Sequence, residues 1–562
     1  MADLRREKTR MIQKDPGLFW ALFAIWVALG IFILYPVIRL VGMAFMPDGH
    51  VSLAALKEAF QDTYTVKALG NSLWLALAVS VTGTILGYFF ALLVTRTAMP
   101  KAMKALLSAV TLLPLISPPF TSSISLSLAL GPNGYLLKLF HIPDFQIYGF
   151  LGIWLSETLT YFPVAYMVIS AVLETMSANL DDAAMSLGAS SGRILRTVTI
   201  PLSMPGIANS FLLLFGSSLA DFATPLILGG HQFPVLPTQA YLEITGMFDL
   251  HSGASLSLML LVPTLIVFWL QRMVVGGKNY VTVTGKSGAQ SAFCPLPIVA
   301  KALISLVCAL VLVFVLYLYG IILVGSFVRT WGITNTPTMA NYQYAFKFGR
   351  KAITDTLKIA FVSTILGSIL GVVIGFILQR KQFIGHRLLE IGSMLNYALP
   401  GTVVGIAYII AFNKKPFLLT GTMTILVAAY VFRYYATSIR SVMASLEQID
   451  PTLEEASASL GASTTGTFLH VTVPLVIPAV LTGLRYLFIH SMTAISATIF
   501  LVSVRWTLLT SRILESMTEL QFTQACAFSI ILIIIVFIAD GLMTWALHMY
   551  SVHFLKTKEA TK

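Results

Sequence analysis

Along most of this chain, apolar residues run on for twenty or more positions before a short polar break. There is neither the two-residue alternation of a half-buried strand nor the single apolar stripe of a surface helix. About twenty consecutive apolar residues are what an α-helix needs to cross the hydrocarbon of a bilayer. Twelve such runs are predicted, at 18–46, 68–94, 105–130, 148–175, 204–228, 253–273, 299–328, 356–379, 389–413, 418–439, 479–503 and 523–549. Several exceed what a membrane requires, so tilted or emergent ends are expected. The third, fifth and ninth carry Pro or many small residues. The first run is too long for a leader h-region, and no small-residue cleavage site clearly follows it, so it is expected to remain as a permanent span.

Composition agrees with this pattern. Hydrophobic residues make up 57% of the 562 positions and charged residues 11%, against about 25% charged in an ordinary soluble domain. The fold class expected is therefore all-α integral membrane. A net charge of +12 could suggest a nucleic-acid partner, but its distribution argues for topology instead. Arg5, Arg6, Lys8, Arg10 and Lys14 precede the first span, and further basic residues gather in the loops that an N-terminus inside the cell places on the same side. The bias is weaker in the second half, where Arg329, Lys347, Arg350 and Lys351 fall outside. With twelve spans, both termini are expected in the cytoplasm. Cys294, Cys308 and Cys526 show no metal-ligand or disulfide spacing.

Two of the polar breaks say nearly the same thing. Residues 180–205 read LDDAAMSLGASSGRILRTVTIPLSMP and residues 453–478 read LEEASASLGASTTGTFLHVTVPLVIP, related by a shift of 273. Leu180, Ala183, Leu187, Gly188, Ala189, Ser190, Thr199, Pro201, Leu202 and Pro205 all recur, and Asp182 returns as Glu455. Each half then holds six spans running in parallel, as expected for halves that enter and leave on one side. The divisions expected are 1–66 (tail and first span), 67–273 (first core), 274–298 (cytoplasmic linker), 299–351 (seventh span and outer loop), 352–549 (second core) and 550–562 (tail). Span 2 opens with Asn71-Ser72-Leu73 and span 8 with Asp355-Thr356-Leu357.

The repeated segment has a physical logic. Ser177 and Asp450 are well placed as N-caps, and Pro451 suits a first turn. Asp181, Asp182, Glu454 and Glu455 oppose the positive end of a short helix. Small residues leave it a thin face, and Gly188 and Gly461 supply the positive φ that stops it. A second short helix is expected from Ser190 or Ser463, broken by Pro201 or Pro474, with Pro205 and Pro478 opening the next spans.

The pattern acid-Ala-x-x-x-x-Gly-Ala-Ser, followed about ten residues later by Pro-Leu-x-x-Pro, resembles the EAA loop of inner-membrane permeases of binding-protein-dependent ABC importers. Asp182 stands where that pattern usually has Glu, and Ser457 stands for its second Ala. The resemblance implies a type I importer fold with two fused permease domains, about twelve transmembrane helices in two tandem six-span repeats. It also implies that Asp182, Ala183, Gly188, Glu455, Ala456 and Gly461 form coupling helices seated on the ATPase. No GxxxxGK[ST] loop occurs in the chain. The chain is thus expected not to be an enzyme and to hold no cofactor, ATP and magnesium belonging to two copies of a separate cytoplasmic ATPase. An extracytoplasmic solute-binding protein docking on outer loops, including 229–252 and 329–352, and membrane lipid complete the expected partners, with no nucleic acid. The location implied is the bacterial inner membrane.

Ionisable groups inside spans are costly and default to functional candidates. Asp221 leads, since the 273 shift places Ala494 opposite it; Arg485, His490 and Glu157 follow, with Arg433 weaker still. The stretch SLADFATPLILGGHQFPVLPTQAYLEITGMFDL, with Gln271-Arg272 and Thr284-Gly285-Lys286, resembles the ferric-iron branch of the family. That implies iron(III) as substrate, with phosphonate, sugar phosphate, polyamine or thiamine as alternatives. Fe³⁺ prefers oxygen donors, yet no Asp, Glu and Tyr cluster at helical spacing is evident. An ion-coupled secondary transporter is the rival class, disfavoured by the two in-register elbows. No paired carboxylates or nucleophile constellation supports a membrane enzyme.

Overall fold

The computed structural model describes residues 16–46, 50–132, 134, 136–137, 141, 145–177, 179–276 and 294–560. The basic N-terminus, Thr284-Gly285-Lys286 and most of the expected linker lie outside the described residues. Among the described residues, nine helices are long and apolar enough to cross a membrane: α1 Pro16–Phe45, α2 Thr63–Arg96, α5 Phe150–Thr175, α7 Ser191–Leu219, α10 Leu250–Val274, α11 Ile298–Ser326, α13 Arg350–Arg380, α18 Thr465–Thr493 and α21 Phe522–Tyr550. Two further predicted runs are not single helices. The third predicted run is α3 Lys101–Ile116 and α4 Thr121–Leu130, bent by 100°, and the ninth is α14 His386–Ala398 and α15 Gly401–Phe412, bent by 105°. Ser117-Pro118-Pro119 and Leu399-Pro400 stand at these breaks; proline supplies no N–H and disfavours a helical residue before it, so a straight helix cannot pass. The tenth predicted run is α16 Met423–Glu447, 25 residues and so about 37 Å long, less apolar because it carries Arg433 and Arg440. Short helices occupy the breaks and the ends of the fifth and eleventh predicted runs: α6 Asn179–Ser186, α8 Ala223–Leu228, α9 Leu236–Thr245, α12 Ala340–Phe348, α17 Thr452–Ser459, α19 Thr498–Leu501 and α20 Leu509–Thr518.

The strands among the described residues are a single hairpin, β1 Val328–Thr330 and β2 Thr334–Pro337. It falls in a stretch expected only as an outer loop.

Pro201 and Pro474 do not break a helix, contrary to expectation. Each sits just after one turn of π-helix, Leu195–Thr199 and Phe468–Thr472, inside continuous α7 and α18. Gly30–Leu34 does the same ahead of Pro36. A proline ring collides with the carbonyl four residues back; the wider turn moves that carbonyl aside and lets the helix continue.

The residues group into two compact units, one of 56–347 with 513–531, the other of 1–55 with 348–512 and 532–562. In the first, α2 lies on α5 and α7. A methyl on Gly87 would stand 2.7 Å from the Tyr166 backbone nitrogen, and one on Gly83 would strike Leu214. Phe90, Phe162 and Tyr166 pack there with Ile304 and Cys308 of α11. In the second unit α13 lies on α16 and α18 in the same way, with Gly371 against Ser438 and Gly367 against Leu487. Here α1 is held by the Tyr408 hydroxyl donating to the Phe32 carbonyl at 2.7 Å, and by Phe32 stacked on Phe432.

The duplication therefore extends beyond the polar breaks. From α5 onward the shift of 273 carries one half onto the other. Between α2 and α13 it is 284, because the first half's connection from α2 to α5 is eleven residues longer. Ser72 Oγ accepts the Leu236 N–H at 2.8 Å, and Thr356 Oγ1 accepts the Leu509 N–H at 2.8 Å. The paired polar residues opening spans 2 and 8 thus hold the start of α9 and of α20.

Candidate functional site: two elbows and a buried acidic cluster

Both elbows close as their glycines foretold. Gly188 has φ +80° and Gly461 φ +86°. The Gly188 and Gly461 N–H groups donate to Met185 and Ala458, and the next residues, Ala189 and Ala462, donate to Ala184 and Ser457. This doubled pattern satisfies the last carbonyls of α6 and α17 and turns the chain. Asp450 Oδ1 accepts the Thr452 N–H at 3.0 Å at the start of α17. That bond holds the exposed carboxyl below its ordinary value.

Their surfaces suit docking. Leu187 is 88% exposed and Leu460 89%, with Leu180 and Leu453 also exposed. Ala183, Gly188, Glu455, Ala456 and Gly461 are exposed, and Asp182 is half-buried. The acidic residue one position earlier behaves differently. Asp181 is buried and bound by Arg96 Nη1 at 2.7 Å, and its counterpart Glu454 is bound by Arg380 Nε at 3.0 Å. Sequence reasoning passed over both arginines, although each ends a long apolar helix at the 284 shift.

Inside the first half, polar groups converge on α5 and the end of α7. Glu157 is fully buried and Asp221 nearly so. Ser218 Oγ donates to Glu157 Oε2, while Glu157 Oε1 has no hydrogen-bond partner among the described residues. Asp221 Oδ1 accepts the Ala223 N–H at 3.0 Å, at the start of α8. Glu157 is within electrostatic reach of Asp221, and Tyr161, one turn along α5 from Glu157, is within reach of both. The structure thus assembles an Asp, Glu and Tyr cluster that the sequence did not reveal. Two members are four apart on α5, and the third arrives from sixty residues away.

The equivalent positions of the second half are Tyr430, Tyr434 and Ala494. Tyr430 shares a 2.6 Å hydrogen bond with Thr498, and His490 lies against Tyr434 and Tyr486, with ring centroids 5.5 and 4.0 Å away. Arg433 Nη1 donates to the Leu399 carbonyl at 2.9 Å, satisfying the break between α14 and α15. Arg485 is paired with Asp540, its Nη2 2.7 Å from Oδ2. The structure therefore brings together Glu157 and Asp221 but leaves Arg485 and His490 in separate settings.

Residues 83–278 and 367–547 match the family described as the binding-protein-dependent transport system inner membrane component. The chain belongs to this family. It carries the family domain twice, as a fused pair, and each matched stretch contains one elbow. It is the membrane permease of an ABC importer, with ATP hydrolysis in a separate component. The chain is 34% identical to a ferric transport system permease protein, FbpB, of Actinobacillus pleuropneumoniae, over 94% of its own length and 78% of that protein's. It is also 34% identical to a putative ferric transport system permease protein, FbpB 1, of Haemophilus influenzae, over 90% of this chain and 81% of that one. Among solved structures, a bacterial ABC transporter importing the acidic polysaccharide alginate is similar at 18% identity and a TM-score of 0.42, covering 48% of this chain and 99% of that chain. As a family member the chain works with an ATPase and a solute-binding protein. Within the permease, the acidic cluster lies on α5 and at the turn between α7 and α8 of the first matched stretch.

Proposed function

We propose that this permease carries iron(III) inward, delivered by an external binding protein and driven by two cytoplasmic ATPase subunits holding ATP and magnesium. The observation that carries the substrate is the identity of 34% across nearly the whole chain to two ferric permeases. The Glu157, Tyr161 and Asp221 oxygens are consistent with it, since a hard trivalent cation takes oxygen donors. Both termini lie in the cytoplasm, with the two elbows on the same side.

In this reading Asp182, Ala183, Gly188, Glu455, Ala456 and Gly461 shape coupling helices that sit on the ATPase pair, with Leu187 and Leu460 as apolar contacts. ATP-driven closure moves both elbows. Glu157 and Asp221 stand on the route of the cargo, weak enough to release it because the binding protein supplies the affinity. Arg485, satisfied by Asp540, holds α18 to α21, and His490 fills an aromatic pocket.

The test is uptake by proteoliposomes holding the permease with its co-expressed ATPase, with the cognate binding protein offered radioactive iron(III) or molybdate. ATP-dependent accumulation of iron and not of molybdate supports the reading. Uptake without ATP, driven by an ion gradient, would place the chain among secondary carriers.

A further inference from the structure

Two ion pairs of the described residues occupy equivalent places in the two halves. Arg96 is the last residue of α2 and Arg380 the last of α13. Asp181 and Glu454 are each the third residue of their elbow helices, α6 and α17. Near a helix N-terminus an acid is already favoured by the dipole, so the arginine is not needed to make the elbow fold. It does something else: it joins the elbow to the end of a core helix.

We infer that Arg96 and Arg380 are positioning residues, struts that pass displacement of each elbow to α2 and α13. Those helices are 34 and 31 residues long, or roughly 50 Å, and they touch their neighbours with almost no side chain between. Gly87 lies on Ala165 and Tyr166 of α5, and Gly83 on Leu214 of α7. Glu157 is on α5, and Ser218, which donates to it, is on α7. A rigid path therefore runs from elbow to arginine, along α2, and across the glycine contacts to the acidic cluster. The second half repeats it through Arg380, Gly367 and Gly371.

The two struts differ in burial. The Arg96 and Asp181 side chains are each 3% exposed, against 11% and 17% for Arg380 and Glu454. Asp181 Oδ2 also accepts the Cys294 N–H at 3.1 Å. Cys294 Sγ lies 3.5 Å from Ser191 Oγ, and Leu296 is buried among the core side chains of α2 and α5. The chain entering the second half thus clamps the first elbow. The Arg380 strut is anchored instead by donation to the Leu446 and Ile449 carbonyls, at 3.1 and 2.8 Å, at the end of α16.

The inference rests on the reading of the elbows as ATPase contacts, and the experiment separates the two. Because Arg96→Gln leaves a buried acid unpaired, the partly exposed second pair is the cleaner test. Arg380→Gln, Arg380→Lys, Glu454→Gln and the double Arg380→Gln/Glu454→Gln are reconstituted with the ATPase. Retention on a tagged ATPase and solute moved per ATP hydrolysed are both measured. Loss of either partner should cut solute per ATP by about tenfold with retention unchanged, and the double variant should be no worse than either single, as expected for residues acting as one unit. Arg380→Lys keeps the charge but loses the planar fork that also holds the Leu446 and Ile449 carbonyls, so it should fall between wild type and Arg380→Gln. Single variants with wild-type stoichiometry, or losses that multiply in the double, would overturn the strut. Failure of the wild-type chain to be retained by the ATPase would overturn the elbow reading, and the strut with it.

Discussion

The two halves of this permease agree at their elbows and disagree in their interiors. Gly188 and Gly461 share a left-handed turn, Leu187 and Leu460 share an exposed position, and Arg96 and Arg380 each grip the acid at the equivalent position. Deep in the apolar region the likeness fails: Tyr161 recurs as Tyr434, but Glu157 and Asp221 correspond to Tyr430 and Ala494. On the proposed function, a pair of like motor subunits needs two like sockets. A single cargo ion needs oxygen donors only once, and a second buried acid pair would add desolvation cost without a second task. On that reading the motor meets what is shared and the cargo meets what is not.

The strongest attempt to break that assignment is to abolish both sockets. Leu at 188 and 461 must adopt a left-handed conformation costing roughly 1–2 kcal/mol at each site, so the Gly188→Leu/Gly461→Leu variant should insert normally yet show background uptake and no ATPase retention. Full transport by this variant would contradict the account.

Next comes the interior. Glu157→Gln and Asp221→Asn should each lower iron uptake by about tenfold, as expected of intramembrane ionisable groups on a route. ATPase retention and ATP hydrolysis should be unchanged. The mirror substitutions Tyr430→Phe and Ala494→Ser should stay within about twofold of wild type. Equal losses from both halves, measured as initial rates, would erase the asymmetry.

A third prediction concerns only the shared scaffold. Gly87→Val and Gly371→Val each force a side chain against a neighbouring helix, and overpacking of this kind costs typically 1–3 kcal/mol. Thermal unfolding in detergent should shift by similar amounts for the two variants. A large shift in one half alone would mean that the repeats pack differently.

The smallest effect is a matter of pH. Bonding to Thr452 lowers the Asp450 carboxyl below its ordinary value of 3.8. The cap's contribution is therefore complete above that value and lost as pH falls through the depressed one. Amide exchange at 452–455 should accelerate there in the wild type and not in Asp450→Ala. The first elbow has no such acid at the equivalent Ser177 and should not respond.

Much of this was legible in the sequence because it rests on local chemistry. Apolar runs, the small residues and glycines of the elbows, and the 273 shift are written in neighbouring residues. Where the reading failed, the deciding contact lay elsewhere in the chain. Pro201 and Pro474 read as breaks because a π-turn that rescues a proline has no residue signature. The Pro and small residues of the third and ninth runs stand out in the sequence, but the bends of 100° and 105° that turn the chain there do not. Tyr161 went unnoticed because its importance comes from Asp221, and Arg96 because its partner is 85 residues away. The grouping of α1 with the second half and α11 with the first is set by packing alone.

The most direct test places a reporter on the sockets themselves. The native cysteines are buried, so Leu187→Cys, Leu460→Cys and, as a control, Val504→Cys each offer one exposed thiol for a short crosslinker in membranes containing the assembled transporter. The account predicts crosslinks to the ATPase from 187 and from 460, and none from 504. Absence of ATPase crosslinks at both elbows, with the complex intact, would contradict it.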